Sequence, residues 1–277
     1  MPLVKMDYLL KQAKLNKKGI GAFSVGNMEM IIGAIQAAEE LSTPIILQIA
    51  EVRLKHSPLE LIGPMMVSAA KNSKIDIAVH LDHGINKKTI HRALDLGFTS
   101  VMFDGSMYSL NDNIEKTLNI VNLAKKYDAT VEAELGVVGG SEDGSENHKI
   151  ICTKQEDVKI FCEKTGVDAL AVAIGNAHGN YPTSPMLEFD TLKKISEVTN
   201  VPLVLHGGSG ISDESFRKAI SLGIVKINIA TSSFNSLTSK AKEYFSDNTK
   251  HNYFDLNLSM VEGTYLNVKK HINIFNM

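Results

Sequence analysis

The chain has 277 residues, 44% of them hydrophobic and 22% charged, which suits a globular protein built as two ordinary domains or as one α/β barrel. A formal net charge of -2 gives no reason to expect nucleic acid or an anionic membrane as a partner. Two cysteines, Cys152 and Cys162, are too few for a disulfide framework, and no apolar run nears the roughly 20 residues of a membrane span, so a soluble cytoplasmic protein with reduced thiols is expected.

In residues 1–15, Lys5, Asp7, Lys11 and Lys14 interrupt the apolar residues. That breaks any signal-peptide core and predicts an amphipathic helix. From there, short apolar runs alternate with longer amphipathic stretches. Strands are expected at 20–24, 45–49, 77–81, 100–103, 130–135, 169–174, 203–206 and 225–229. Helices are expected at 28–41, 58–70, 87–96, 111–127, 155–165, 191–198 and 213–222. Several strand runs are apolar almost throughout, as strands covered on both faces are. Gly97, Gly166 and Gly223 stand where helices should end. Eight strands alternating with helices, with no linker, predict an α/β fold with a parallel sheet closed into a (β/α)8 TIM barrel, one domain over 1–277.

Polar residues gather at the C-terminal ends of the expected strands: His80, Asp82 and His83 on the third, Asp104 on the fourth, Glu132 and Glu134 on the fifth, His178 after the sixth, His206 on the seventh and Asn228 on the eighth. In barrel enzymes this face carries the active site. His83, His178 and His206 arrive from three strands with acids beside them, a pattern that suits Zn2+ or another borderline metal with an open coordination position. Taken singly, each is more readily a packed or solvated histidine; the joint placement points to a metal. His80 reads as packed or as a support for a ligating imidazole. His56, His91, His148, His251 and His271 fall in helices or loops and are expected to be solvated.

The run His206-Gly207-Gly208-Ser209-Gly210 follows the seventh strand, and Asn228-Ile229-Ala230-Thr231-Ser232 closes the eighth. Barrels often bind phosphate with these two loops, where glycine N–H groups and a helix N-terminus approach the oxygens; elsewhere such a run is only a turn. The connection 136–154, with Gly139, Gly140 and Gly144, is long for a compact domain and reads as a functional lid, a surface insertion being the alternative. Metal, acids, phosphate cradle and lid together suit a reaction in which a metal polarises a carbonyl and carboxylates move protons.

At these residues the chain resembles the class II fructose/tagatose-bisphosphate aldolases. The resemblance rests on His80-Leu81-Asp82-His83-Gly84, Phe103-Asp104-Gly105-Ser106, Glu132-Ala133-Glu134-Leu135-Gly136 with Gly139-Gly140-Ser141-Glu142-Asp143-Gly144, Ala173-Ile174-Gly175-Asn176-Ala177-His178-Gly179, Leu205-His206-Gly207-Gly208-Ser209-Gly210 and Lys226-Ile227-Asn228-Ile229-Ala230-Thr231. These segments come in the family's order and cover nearly the whole chain.

The resemblance implies a carbon–carbon lyase of carbohydrate metabolism (glycolysis). It would cleave fructose or tagatose 1,6-bisphosphate reversibly to dihydroxyacetone phosphate and glyceraldehyde 3-phosphate. It implies one catalytic zinc on His83, His178 and His206, with Glu134 and Asp104 serving an alternative metal location. Asp82 would be the acid/base at the C4 hydroxyl and Glu142 the proton-abstracting carboxylate. Gly179, Gly207, Gly208, Ser209, Asn228, Ala230 and Thr231 would hold the triose-phosphate half. A monovalent cation, Na+ or K+, and a homodimer or homotetramer are also implied.

Some positions depart from the family pattern. Ser24 stands where many members have Asn, Ala50 where some have Ser, Pro182 and Thr183 where Lys is frequent, and Ser232 and Ser233 where many have an acid. The alternative is therefore the same chemistry on another ketose 1-phosphate. More distant alternatives are a metal-dependent hydrolase on the same barrel, against which Glu142 and the phosphate cradle argue, and a barrel kept for binding, which should have lost an acid or a ligand.

Overall fold

The computed structural model describes residues 2–140, 149–179, 185–246 and 251–276. Among them, eight strands pair in parallel in chain order: β1 Ile20–Ser24, β2 Ile45–Ala50, β3 Ile77–Gly84, β4 Ser100–Phe103, β5 Thr130–Leu135, β6 Ala169–Val172, β7 Leu203–Leu205 and β8 Ile224–Ile229. β8 pairs back onto β1 through Ala22 and Asn228, which closes the barrel. The helices are α1 Met6–Leu15, α2 Met28–Glu40, α3 Leu59–Asn72, α4 Lys87–Asp95, α5 Leu110–Ala124, α6 Gln155–Thr165, α7 Phe189–Val198, α8 Asp213–Ser221, α9 Thr231–Ser246 and α10 Tyr253–Phe275. This is the expected (β/α)8 barrel.

Local chemistry explains many element ends. Asn27, Ser109, Ser212 and Asn252 accept a backbone N–H of the first turn of α2, α5, α8 and α10, which satisfies donors that the helix leaves open. Gly97, Gly166 and Gly223 have φ of +90°, +65° and +114°, as C-terminal cap positions require.

Two apolar layers hold the barrel. The larger lies between strands and helices. The smaller fills the bottom of the barrel, where Met6, Leu9, Leu10 and Ala13 of α1 pack on Ile20, Ala22, Ile46, Ala78, Met102, Ala169, Ala171, Val204 and Val225. Burying a Leu or Met side chain contributes about 1.5–3 kcal/mol each, so this plug anchors the end of the barrel opposite the polar face. Higher on the same inner wall the side chains turn polar: Gln48, His80, Glu132 and Lys226, then Asp82, Glu134, His206 and Asn228, all buried.

The helix that a (β/α)8 barrel requires after its eighth strand, for which sequence reasoning set no bounds, is α9, and the 23-residue α10 follows it. α10 lies against α2 so closely that a Cβ at Gly33 would sit 2.5 Å from the Val261 carbonyl oxygen, a contact only glycine allows. Among the described residues no helix is long and apolar enough to cross a membrane.

Candidate active site

A strand sends successive side chains to opposite faces, so Asp82 and His83 should not both enter the barrel. The pairing of β3 with β4 shifts between Leu81 and Gly84, and His83 takes φ +43°. This bulge and left-handed residue re-aim the chain, and β3 runs on to Gly84 instead of ending near Leu81. Bulges and left-handed non-glycine residues concentrate at functional sites because the surrounding structure must hold them there.

One ring nitrogen from each of His83, His178 and His206 lies within 4.8 Å of the other two. Asp104 Oδ2 is 2.7 Å from His83 Nδ1, and Glu132 Oε1 is 2.8 Å from His206 Nε2. These carboxylates fix the rings, and His83 Nε2 and His206 Nδ1 then face each other 2.8 Å apart, with the His178 ring 4.9 Å from that of His83. Imidazoles oriented by carboxylates on their far nitrogens are how proteins present a ligand set for zinc or a related ion.

The electrostatics agree. Burial holds His206 well below the usual histidine range, so the ring is neutral, as a ligand must be. Burial also acts to lower His83, but Asp82, Asp104 and Glu134 outweigh it and hold that ring well above the usual range. Burial would raise Asp104, yet its bonds to His83 and Ser106 draw it far below the carboxylate range. Burial and neighbouring Asp104 push Glu134 up, and Glu134 Oε2 has no hydrogen-bond partner among the described residues. This is a pocket whose carboxylates favour added positive charge. Asp104 and Glu134, the residues expected at an alternative metal location, lie with His83 in a second group whose potential ligand atoms are within 4.8 Å of one another.

Asp82 is clamped by two amides. Gln48 Nε2 donates to Oδ2 at 3.0 Å and Asn228 Nδ2 to Oδ1 at 3.1 Å. Below it His80, neutral because burial lowers it well below 6.5, bonds Ser100 Oγ at 2.9 Å; it is a packed support, as expected. Sequence reasoning gave no role to Gln48, Glu132 or Lys226. The available signal was period-two spacing: residues two apart on a strand share its face, so Gln48 and Lys226 were readable as inward.

His178, Gly179, Gly207, Ser209, Asn228, Ala230 and Thr231 line one small pocket, at the N-terminus of α9, where backbone N–H groups favour an anion. Gly207 has φ +64°, and a Cβ there would lie 2.0 Å from the Ala177 carbonyl oxygen; only glycine lets the two loops meet. Gly208 does not line the pocket, since its N–H donates to the Asn228 carbonyl at 3.0 Å. Ser209 Oγ accepts the Ser232 N–H at 2.9 Å.

Glu142 lies in 141–148 and Pro182 and Thr183 in 180–184, outside the described residues, as is the greater part of the expected lid. The flanking residues are placed: Val137 pairs with Ile151 and Gly139 with Ala177, so the chain enters 141–148 beside His178. Of the histidines expected to be solvated, His56, His91 and His251 are exposed, and His148 lies outside the described residues. His271 is instead buried at 5% exposure, because Phe23, Phe216 and Phe275 surround it with ring centroids 5.8–6.4 Å away.

Residues 4–277 match the family model described as fructose-bisphosphate aldolase class-II. The crystal structure of the YdjI aldolase from Escherichia coli K12 is similar at 33% identity and TM-score 0.88, over 99% of this chain and 97% of that one. A structure described as a putative fructose-1,6-biphosphate aldolase from Coccidioides immitis aligns at 29% identity and TM-score 0.90, over 98% of this chain and 96% of that one. Fructose-bisphosphate aldolase from Campylobacter jejuni, at 22% identity and TM-score 0.80 over 99% and 95% of the two chains, shares the fold. With the whole barrel and its motifs matched, the chain belongs to the class II fructose-bisphosphate aldolase family and is a carbon–carbon lyase.

Proposed function

We propose that this lyase reversibly cleaves a ketose 1,6-bisphosphate of the fructose or tagatose type to dihydroxyacetone phosphate and glyceraldehyde 3-phosphate, with one zinc ion on His83, His178 and His206. The observation that carries this reading is the sharing of His178: it belongs to the imidazole group and to the wall of the glycine-lined pocket. A triose phosphate seated in the pocket would thus have its carbonyl end at the imidazoles. Zinc would supply positive charge to stabilise the charge that develops on the substrate oxygens.

The chain's own groups would do the rest. Asp82, held at both oxygens by amide N–H groups, would exchange a proton with the C4 hydroxyl. Glu142 would take and return the carbon-bound proton of the triose half. Gly179, Gly207, Ser209, Ala230 and Thr231 would bind the phosphate, and Asn228 the triose oxygens. A monovalent cation against the backbone of the glycine loops and a homodimeric or homotetrameric assembly belong to the same reading.

A second reading, cleavage of a ketose 1-phosphate without a second phosphate, is favoured by two placements. Ala50, level with Asp82 across β2 and β3, offers only a methyl group. Ser232, where many members carry an acid, is tied to Ser209. A retro-aldol screen of ketose monophosphates and bisphosphates with zinc added tests both, reading release of triose phosphate. Release from no ketose phosphate, bisphosphates included, would refute the proposal.

A further inference from the structure

Lys226 has no place in the reading above, yet it is fully buried inside the barrel. An ammonium withdrawn from water is destabilising unless paired, so its partners show what it is kept for. Its Nζ lies 2.9 Å from Glu132 Oε2 and donates to Asn228 Oδ1 at 2.7 Å. Each partner leads on to a different part of the site. The other oxygen of Glu132 holds His206 Nε2 at 2.8 Å. The other end of the Asn228 amide, Nδ2, donates to Asp82 Oδ1 at 3.1 Å.

We propose that Lys226 is a positioning residue: it fixes the Asn228 amide so that its N–H points at Asp82, and it shares the charge of Glu132, the carboxylate behind His206. This rests on the aldolase reading, with Asp82 as the acid/base.

The reasoning is one of donor and acceptor inventory. An amide presents oxygen on one side and N–H on the other, and only its partners decide which way it lies. An ammonium has no acceptor, so Asn228 must turn its oxygen to Lys226 and its nitrogen to Asp82. Without the ammonium, a flipped amide would set its oxygen against the Asp82 carboxylate, acceptor against acceptor. Gln48 Nε2 already serves the other carboxylate oxygen and also lies 3.2 Å from Ser24 Oγ, so it cannot stand in. Glu132, deprived of its cation, would bear alone on the His206 ring. One side chain thus sets the orientation of the acid/base and the environment of a candidate ligand.

The test compares Lys226→Met with the double variant Lys226→Met/Glu132→Gln, which removes both charges and guards against failure to fold. Thermal midpoints report folding, and chelator competition reports zinc affinity apart from activity. Two rates are then measured: carbon–carbon cleavage, which needs Asp82, and exchange of the triose-phosphate carbon-bound proton with solvent, which does not. A hydrogen bond to a buried carboxylate is worth roughly ten- to a hundredfold. In a folded variant, cleavage should therefore fall by that factor relative to exchange. Placing Lys226→Met on top of Asn228→Ala should lower the cleavage-to-exchange ratio no further, because the amide it orients is gone. Loss of cleavage and exchange in equal proportion, or an unchanged ratio in a folded variant, overturns the proposal. Absence of both activities in the unaltered protein would instead refute the aldolase reading.

Discussion

Replacing Asp104 by asparagine or alanine tests whether the histidine group is a metal site, and the expected size can be worked from the contacts. Asp104 Oδ2 accepts from His83 Nδ1 at 2.7 Å, while Oδ1 is held by the Ser106 hydroxyl at 2.7 Å and the Ser106 N–H at 3.1 Å. The carboxylate therefore fixes the His83 ring and adds negative charge beside the ion. Removing such an outer partner typically weakens metal binding ten- to a hundredfold, about 1.4–2.7 kcal/mol. Asparagine keeps an acceptor for His83 Nδ1 and should fall at the lower end; alanine removes both that acceptor and the charge and should fall at the upper end. Zinc affinity would be read by competition with a chromophoric chelator, with His83→Ala as the control for loss of a ligand. A loss beyond about a thousandfold would make Asp104 a direct ligand, and unchanged affinity in both variants would refute the orienting role.

Four other outcomes are expected. Dialysis against a chelator should abolish cleavage and zinc or cobalt should restore it; full activity after metal removal, or borohydride trapping of substrate on the protein, would exclude the metal mechanism. Asp82→Ala should lose cleavage but keep some triose-phosphate proton exchange, whereas Glu142→Ala should lose both; the roles are wrong if the pattern is reversed. The preference for a ketose 1,6-bisphosphate over its 1-phosphate should stay below about a thousandfold in kcat/KM, since the candidate distal contacts are altered; a larger ratio, above about 4 kcal/mol, would mean an intact second phosphate site. Burial pushes His271 down to about 4 from 6.5, so the unfolded chain takes up its proton first as the pH falls. Stability present above pH 6.5 should then decline toward pH 4, by up to about 3 kcal/mol, and His271→Leu should flatten that arm of the denaturation midpoint; an unchanged slope counts against it.

The barrel was legible because its strands are continuous apolar runs and its helices end on glycine, both local signals. The parts that were missed depend on contacts between distant segments. The extension of β3 to Gly84 comes from a bulge against β4, which periodicity cannot register. α9, which the barrel calls for, and α10, which it does not, follow the last strand, where no further strand frames the helical stretch and sets its bounds. His271 was misread because the rings around it come from β1, α8 and the end of α10, and its own helix gives no hint of them. Gln48 and Lys226 were passed over, and Glu132 was placed at the site face but given no role, for a different reason: a polar residue in a strand takes on meaning only once the inner wall is known to close around it.

The inner wall also explains why the site sits at one end of the barrel. Asp82, Asp104, Glu132 and Glu134 crowd the upper part against Lys226 as the ammonium among them, and like charges held out of water destabilise a fold. A chain selected for stability alone would fill these positions with branched apolar residues, as the barrel bottom does with Ile20, Ile46 and Val204 under α1. The imbalance is visible in two groups displaced the same way: Glu134 is pushed up by burial and Asp104, and His83 is held up by its carboxylates against burial. Both are the response of a site that favours positive charge, and a divalent ion between His83, His178 and His206 would relieve both at once. Zinc binding should therefore raise the melting temperature as well as enable cleavage, since an ion bound only by the folded state stabilises it in proportion to the logarithm of its concentration. A melting temperature that does not respond to zinc, in a protein whose cleavage does, would separate the metal from this cluster and move it elsewhere.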